Sequence, residues 1–394
     1  MSTKRPITAE DLYQLRVLNE CAISPDGKHV VYSDQRVEDE KYKKYSNLWV
    51  CSIKDGKSRQ FTVGNQVDSS PRWSPNGEKI AFLSNREDEK QPQIYLIPFS
   101  GGESRRLTDL QGEFADFHWS PSGEDLICQF RKKDQEAIER EKDELKKELG
   151  MVSRRVQRVF YKFDGRGFLP EERWHIWKIN SNSEESRQLT EGEKFDETFP
   201  SWSPDGRDIV FLSNHADDPD LDPDVIDVFI HSIESGKTRK IATPVGPKTN
   251  PVFSPNGKSI VYYGKEGRDN WWKNSSLWLV SADGKGEAVN LTNEFDFDLS
   301  NSIINDFPGH ILLSPPIWSR DSSKIYFSVS RHGKTTLHSI KKEGGAENME
   351  TVIDQGGALG SVTFDEEQSW IAYLHSSIQE PQEVMVYDLK ENRS

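Results

Sequence analysis

The sequence predicts an all-β fold, a seven-bladed β-propeller with a helical insertion in blade three. Three observations carry this. A turn motif recurs as Ser24-Pro25-Asp26-Gly27, Ser74-Pro75-Asn76-Gly77, Ser120-Pro121-Ser122-Gly123, Ser203-Pro204-Asp205-Gly206 and Ser254-Pro255-Asn256-Gly257, with degenerate copies at Ser319-Arg320-Asp321-Ser322 and Asp365-Glu366-Glu367-Gln368. Each copy follows a bulky residue and precedes an apolar run, as Trp73 and Ile80-Ala81-Phe82-Leu83 flank the second. The same succession of strands then follows each turn. Repeats of about 40–50 residues built this way are propeller blades. A β-sandwich is the alternative, but a sandwich does not need one turn in register with the same flanking strands.

The second unit shows the logic. Pro71-Arg72-Trp73 is a short strand, and Ser74-Pro75-Asn76-Gly77 is the turn. Proline presets φ, Asn suits the third position, and Gly accepts positive φ. Residues 79–84, 93–97 and 105–108 then supply three further strands. Third strands recur at Asn47-Leu48-Trp49-Val50, His175-Ile176-Trp177-Lys178-Ile179, Asp227-Val228-Phe229-Ile230 and Leu277-Trp278-Leu279-Val280. Fourth strands at Arg187-Gln188-Leu189-Thr190 and Val289-Asn290-Leu291-Thr292 end in the same Leu-Thr. The expected organisation is an N-terminal segment, 1–21, and a propeller, 22–394. Its blades start near Ala22, Pro71, Phe117, Pro200, Pro251, Pro316 and Ser361. The seventh unit supplies three strands and reaches Ser394 where other units enter strand four. Residues 14–18 completing that blade, or chain further downstream, are the two expected solutions, because an open edge is an aggregation hazard.

The interval from the third turn to the fourth is much longer than the one before it. The excess, 131–172, is the insertion. Asp134 is placed to cap a helix running to Leu149 with Gly150 as its stop, and Glu136–Arg140 and Asp143–Lys147 are i,i+4 pairs along it. This helix is read as a solvated rim element or as an arm that touches a partner or gates a channel. Residues 152–163 read as a strand carrying Arg154, Arg155, Arg158 and Lys162, followed by the turn Asp164-Gly165-Arg166-Gly167-Phe168. The basic residues either pair with the acidic helix or form an anion contact, for which Arg is suited. A second insertion, 294–316, carries Phe295, Phe297 and Phe307 and is expected to pack on one end. Trp271-Trp272 is read as packing between blades or as an exposed interface.

Composition narrows the function. Hydrophobic residues make up 34% and aromatics 10%, and the net charge is −14. That charge argues against a nucleic-acid binder, which carries a basic face. No secretory h-region or membrane-length apolar run is present. Cys21, Cys51 and Cys128 are widely spaced, which suits a reducing cytoplasm better than a disulfide framework or zinc site. No Gly-x-Ser-x-Gly elbow, His-Glu-x-x-His or P-loop occurs. No catalytic residue, metal ligand or cofactor is therefore assigned, and the chain alone is expected to be inactive. A channel-centred propeller enzyme would need convergent His, Asp or metal ligands, and no such periodicity is seen.

The Trp-Ser-Pro-Asp-Gly-x-x-Ile-x-Phe repeat resembles that of TolB-like propellers. Ile7-Thr8-Ala9-Glu10-Asp11-Leu12, Phe160-Tyr161-Lys162-Phe163-Asp164-Gly165-Arg166-Gly167-Phe168 leading to His175-Ile176-Trp177, and Glu380-Pro381-Gln382-Glu383-Val384-Met385-Val386 are similar to the propeller of prolyl oligopeptidase-family serine peptidases, in the acylaminoacyl-peptidase and dipeptidyl-aminopeptidase branch. The resemblance implies a substrate-gating, size-filtering propeller, short peptides as substrates, and an α/β-hydrolase partner domain in cis carrying the Ser-Asp-His triad, absent from this chain. It leaves homo-oligomerisation open. Residues 154–168 are then expected to face the hydrolase domain, with Asp164 or Arg166 near the substrate path. A salt-bridged rim hairpin is the plainer alternative. A TolB-like interaction scaffold is the competing function. A Gly-x-Ser-x-Gly reading frame downstream of Ser394 would favour the peptidase, and a native stop codon the scaffold.

Overall fold

The computed structural model describes residues 5–38, 43–151, 153–299 and 313–393. They form a seven-bladed β-propeller arrangement whose blades fall into two compact units. One unit comprises Met1–Leu107 with Phe295–Ser394, the other Thr108–Glu294.

The first unit holds blades one, two, six and seven. Blade one is Val17–Ile23, His29–Glu38, Lys43–Ser52 and Ser58–Gln60; blade two is Asp68–Trp73, Lys79–Ser84, Gln93–Pro98 and Arg105–Arg106. Blade six is Ile317–Trp318, Lys324–Arg331, Lys334–Lys341 and Met349–Ile353. Blade seven has three strands, Ala358–Phe364, Trp370–Ser376 and Glu383–Asp388. Among the described residues no fourth strand joins it, although Asp388 and Arg393 form an antiparallel bridge after a tight turn. Residues 14–18 do not complete this blade: Val17 and Leu18 pair with Gln35 and Asp34 inside blade one.

The second unit holds blades three to five. Blade three is Gly112–Trp119, Asp125–Lys132, Trp174–Asn180 and Ser186–Gln188. Blade four is Glu197–Trp202, Asp208–Ser213, Asp227–Ser232 and Thr238–Ile241, and blade five is Lys248–Phe253, Ser259–Gly264, Ser276–Ser281 and Val289–Asn290. Except in blade six, which starts at Ile317, first strands begin a few residues before the turn motif suggests. A bulge explains this: Ser70, Phe199, Asn250 and Ser361 hold φ of 52–54° where the register of the first strand shifts. The extra residue breaks the alternation that marks a strand in sequence.

The repeated turn is held by its serine. Ser74 Oγ accepts from the Lys79 amide at 2.9 Å and donates to Asn76 Oδ1 at 2.7 Å. Ser203 and Ser254 do the same with Asp208 and Asp205, and with Ser259 and Asn256. In the eroded seventh copy Asp365 takes over, its carboxylate accepting from the Trp370 amide at 2.7 Å. The bulky residue before the turn reaches the preceding blade: Trp73 Nε1 donates to the Ala22 carbonyl at 3.0 Å, and Trp202 Nε1 to that of His118 at 3.3 Å.

Apolar cores lie between neighbouring blades. Leu48, Phe82, Ile80 and Tyr95 pack blades one and two. Val228, Ile230, Ile260 and Tyr262 pack blades four and five. Polar latches accompany them. The Leu-Thr pairs lie just past the fourth strands and do not end them. Thr62 Oγ1 accepts from the Leu48 amide at 2.9 Å and donates at 2.6 Å to Asp68, the first residue of blade two. Thr190 repeats this with Ile176 and with Glu197 of blade four, at 2.9 and 3.2 Å. At the same position blade five has buried Lys248, whose Nζ donates to the carbonyls of Ile226, Pro244 and Gly246 at 2.6–3.0 Å.

Candidate functional site

The second-to-third strand connections of blades three, four and five form one linked surface in the second unit. In blade three this connection is the insertion. Asp134 caps its helix, accepting from the Glu136 amide at 2.9 Å. The helix is broken, because Asp143 leaves helical geometry and caps a second one through the amides of Leu145 and Lys146. The result is Gln135–Lys142 and Glu144–Leu149, stopped at Gly150 with φ of 65°. Glu136–Arg140 forms at 2.7 Å, but Lys147 turns to Glu144, since Asp143 is occupied as the cap. Neither helix buries a residue.

Val152 lies outside the described residues, and 153–161 is not a strand. Only Lys162–Phe163 pairs, with Gly167–Phe168. The expected pairing of basic residues with the helix also does not form. Arg158 instead makes a two-point contact with Asp220 on the blade-four connection, at 2.9 and 3.1 Å, and the Phe160 amide donates to the same carboxylate. Burial works against the Asp220 carboxylate, but the Arg158 hydrogen bonds and charge outweigh it and hold Asp220 below the usual range. On the same connection Asp222 pairs with Arg268 of blade five at 2.9 Å, and Asp224 accepts from the Asp269 amide at 2.7 Å. Asp220 and Asp222 were not singled out from sequence. The run Asp217-Asp218-Pro219-Asp220-Leu221-Asp222-Pro223-Asp224 was the available signal.

This charged surface also exposes several large apolar side chains. Leu145, Leu149, Val156, Val159, Tyr161, Phe163 and Phe168 are each about half exposed or more, as is Leu221. Trp271 and Trp272 are not packed between blades but are 83% and 65% exposed. In the first unit, by contrast, Phe297 of the second insertion is buried against Phe295, with centroids 4.9 Å apart. Phe307 lies outside the described residues.

Asp164 and Arg166 sit together in the hairpin turn, both exposed, with the Arg166 amide donating to the Phe163 carbonyl at 3.2 Å. The guanidinium of Arg154 lies over the Phe168 ring, 4.1 Å from its centroid, and Lys162 Nζ is 5.5 Å from the same centroid. Among the described residues Arg154, Arg155, Lys162 and Arg166 have no carboxylate partner.

The Arg158–Asp220 contact is expected to hold the insertion in place. Arg158→Ala should lower the free energy of local opening at the Phe160 amide and the hairpin by about 2 kcal/mol, the cost of leaving a partly buried acceptor without its donor. Hydrogen exchange read at 160–168 checks this, with protection in the blade-four strands unchanged.

Comparison with known proteins agrees with this architecture. Residues 15–155 match the TolB beta propeller domain. Over 345 residues the chain is 32% identical to the uncharacterized peptidase YuxL of Bacillus subtilis, covering 86% of this chain and 51% of that protein. It is 26% identical over 371 residues to dipeptidyl-peptidase 5 of Porphyromonas gingivalis, covering 87% and 49%. TolB of the Tol-Pal system of Francisella tularensis is a further relative, at 25% over 304 residues, covering 75% and 53%. Among solved structures, acylaminoacyl peptidase of Pyrococcus horikoshii superposes with a TM-score of 0.71 at 17% identity, covering 96% of this chain and 52% of that one. The chain spans about half the length of the curated peptidases it matches. Residues 15–155 are thus similar to a TolB-type propeller domain, and the similarity to peptidases extends over most of this chain's own length.

Proposed function

We propose that this chain is the propeller portion of a cytoplasmic serine peptidase of the acylaminoacyl or dipeptidyl type, which admits short peptides to a hydrolase domain held in cis. The similarity to YuxL over 345 residues carries the reading. The linked connections of blades three to five support it with an exposed apolar surface suited to a partner domain, and three free cysteines suit a reducing compartment. The propeller supplies access control. Acyl transfer needs a nucleophile, a base and an oxyanion site in one place, and these are assigned to the hydrolase domain. The purified chain should not turn over acylated or free-N-terminal chromogenic peptides, whereas a propeller–hydrolase protein containing it should. Turnover by the chain alone, lost on mutation of one of its own serines, would refute the reading.

Within that protein Asp164 and Arg166 are assigned to the substrate path. Arg166→Ala should lower kcat/KM about tenfold, equivalent to ~1.4 kcal/mol of transition-state binding, with Tm unchanged. An unaltered kcat/KM would leave the hairpin a structural rim. The TolB match over 15–155 favours a second reading, an interaction scaffold. It predicts that the chain captures a separate protein and that no hydrolase domain is encoded with it.

A further inference from the structure

We propose that the tip of the blade-three insertion is a carboxylate-reading site for short acidic peptides, built by Arg154, Lys162 and Arg166 around Phe168. The choice of peptide as ligand rests on the function proposed above. The site itself rests on geometry. Two cations converge on one aromatic ring: Arg154 stands 4.1 Å and Lys162 5.5 Å from the Phe168 centroid. Arg166 occupies the turn between the paired residues Phe163 and Gly167. A ring face attracts each cation, but cations gathered this closely repel one another, and a shared anion relieves that repulsion. No carboxylate among the described residues does so, although Arg158 nearby is fully engaged with Asp220. Guanidinium groups bind carboxylates through paired N–H donors.

The surroundings select the size of the ligand. The chain carries a net charge of −14. The acidic run 217–224 lies one connection away, tied to the insertion through Arg158. A long polyanion such as a nucleic acid would meet that acidic surface, whereas a ligand with one or two carboxylates meets a tip where three cations outnumber the single carboxylate of Asp164. Exposed Tyr161 and Phe163 beside the tip supply apolar contact. The ligand that fits is a short peptide whose carboxylate, C-terminal or from Asp or Glu, neighbours an apolar side chain.

Fluorescence anisotropy of the whole purified chain tests this directly, without catalysis. The probe is a fluorescein-labelled hexapeptide of alternating Phe and Glu with a free C-terminus. Its Gln counterpart, its C-terminal amide and a short single-stranded DNA are the comparisons. At low salt the Phe-Glu acid should bind at least about tenfold more tightly than a Gln peptide that is also amidated. A loss on amidation alone assigns the C-terminal carboxylate; a loss with Gln alone assigns the side chains. Arg154→Gln/Arg166→Gln should weaken binding about tenfold or more, while Arg154→Lys/Arg166→Lys should keep most of it. Equal binding of acidic and neutral peptides, wild-type affinity in the Gln variant, or tighter binding of the DNA would each overturn the proposal. Because binding is read on its own, an inactive propeller–hydrolase protein would count against the proposed peptidase function and leave this site standing.

Discussion

Asp68→Ala should lower the unfolding free energy by about 3–5 kcal/mol, the range for stripping one partner from a buried ion pair. Asp68 is fully buried at the start of blade two. Its carboxylate accepts from Thr62 Oγ1 at 2.6 Å, from Gln66 Nε2 at 3.0 Å and from the Arg86 guanidinium at 3.0 Å. Thr62 also caps the Leu48 amide of blade one, so one acid ties two blades together. Arg86 is held over the rings of Phe82 and Tyr95 at 5.3 and 4.7 Å. Removing the carboxylate leaves a largely buried guanidinium without its counterion and a threonine hydroxyl without its acceptor. Asp68→Asn keeps the shape and one acceptor, and should cost roughly half as much. Arg86→Met placed in the Asp68→Ala background should recover part of the loss, since the stranded charge goes with it. Urea unfolding at neutral pH measures all four proteins. An Asp68→Ala protein within about 1 kcal/mol of wild type would show that the latch contributes little beyond the packed interface.

The latch also shows where sequence reasoning stops. The turn motif was legible because every contact that fixes it is local: the serine, the Asx residue and the glycine lie within a few positions of one another. Blade number and strand order followed from that motif. The Leu189-Thr190 pair was equally visible, yet it reads as the end of a strand, because its meaning lies in Glu197, an acid reached across a loop; the equivalent Thr62 follows Phe61 and reaches Asp68 the same way. Nothing marks Asp68 or Glu197 among 65 acidic residues. The candidate site divides the same way. Its basic hairpin stands out against an acidic chain, and the proposal of Asp164 and Arg166 comes from it. Its anchor does not, because Arg158 finds Asp220 62 residues away. Trp271 and Trp272 misled for another reason. Hydrophobicity alone favours burial, while exposure depends on which loop of the blade carries the pair.

The fold is also expected to weaken in mild acid, and His338 is the residue that makes it do so. His338 lies in the third strand of blade six, with its ring near those of Phe327 and Phe297, at centroid distances of 6.2 and 6.4 Å. Nε2 contacts Thr336 Oγ1 at 2.8 Å and Nδ1 contacts Thr351 Oγ1 at 3.4 Å, a pair of hydroxyl contacts that suits the neutral ring. Burial pushes its pKa down to about 4; the Asp354 charge opposes this without offsetting it, and Lys334 adds to the downward shift. Those two residues are paired with each other. The unfolded chain's imidazole titrates near 6.5. Between these values the unfolded state takes up a proton that the folded state refuses, so stability rises with pH across this window and falls as pH drops through it. The penalty is negligible at pH 7.5, reaches ~2 kcal/mol at pH 5, and is complete only below pH 4. His215 and His231, in the second unit, are shifted down by burial as well and act in the same direction. His338→Gln keeps a neutral polar side chain and removes the titration. Denaturant unfolding at pH 7.5 and pH 5 should show the wild-type chain losing about 2 kcal/mol more than the variant. Equal losses would mean that His338 accepts its proton in the folded state, and would leave His215 and His231 as the buried imidazoles that make this propeller acid-sensitive.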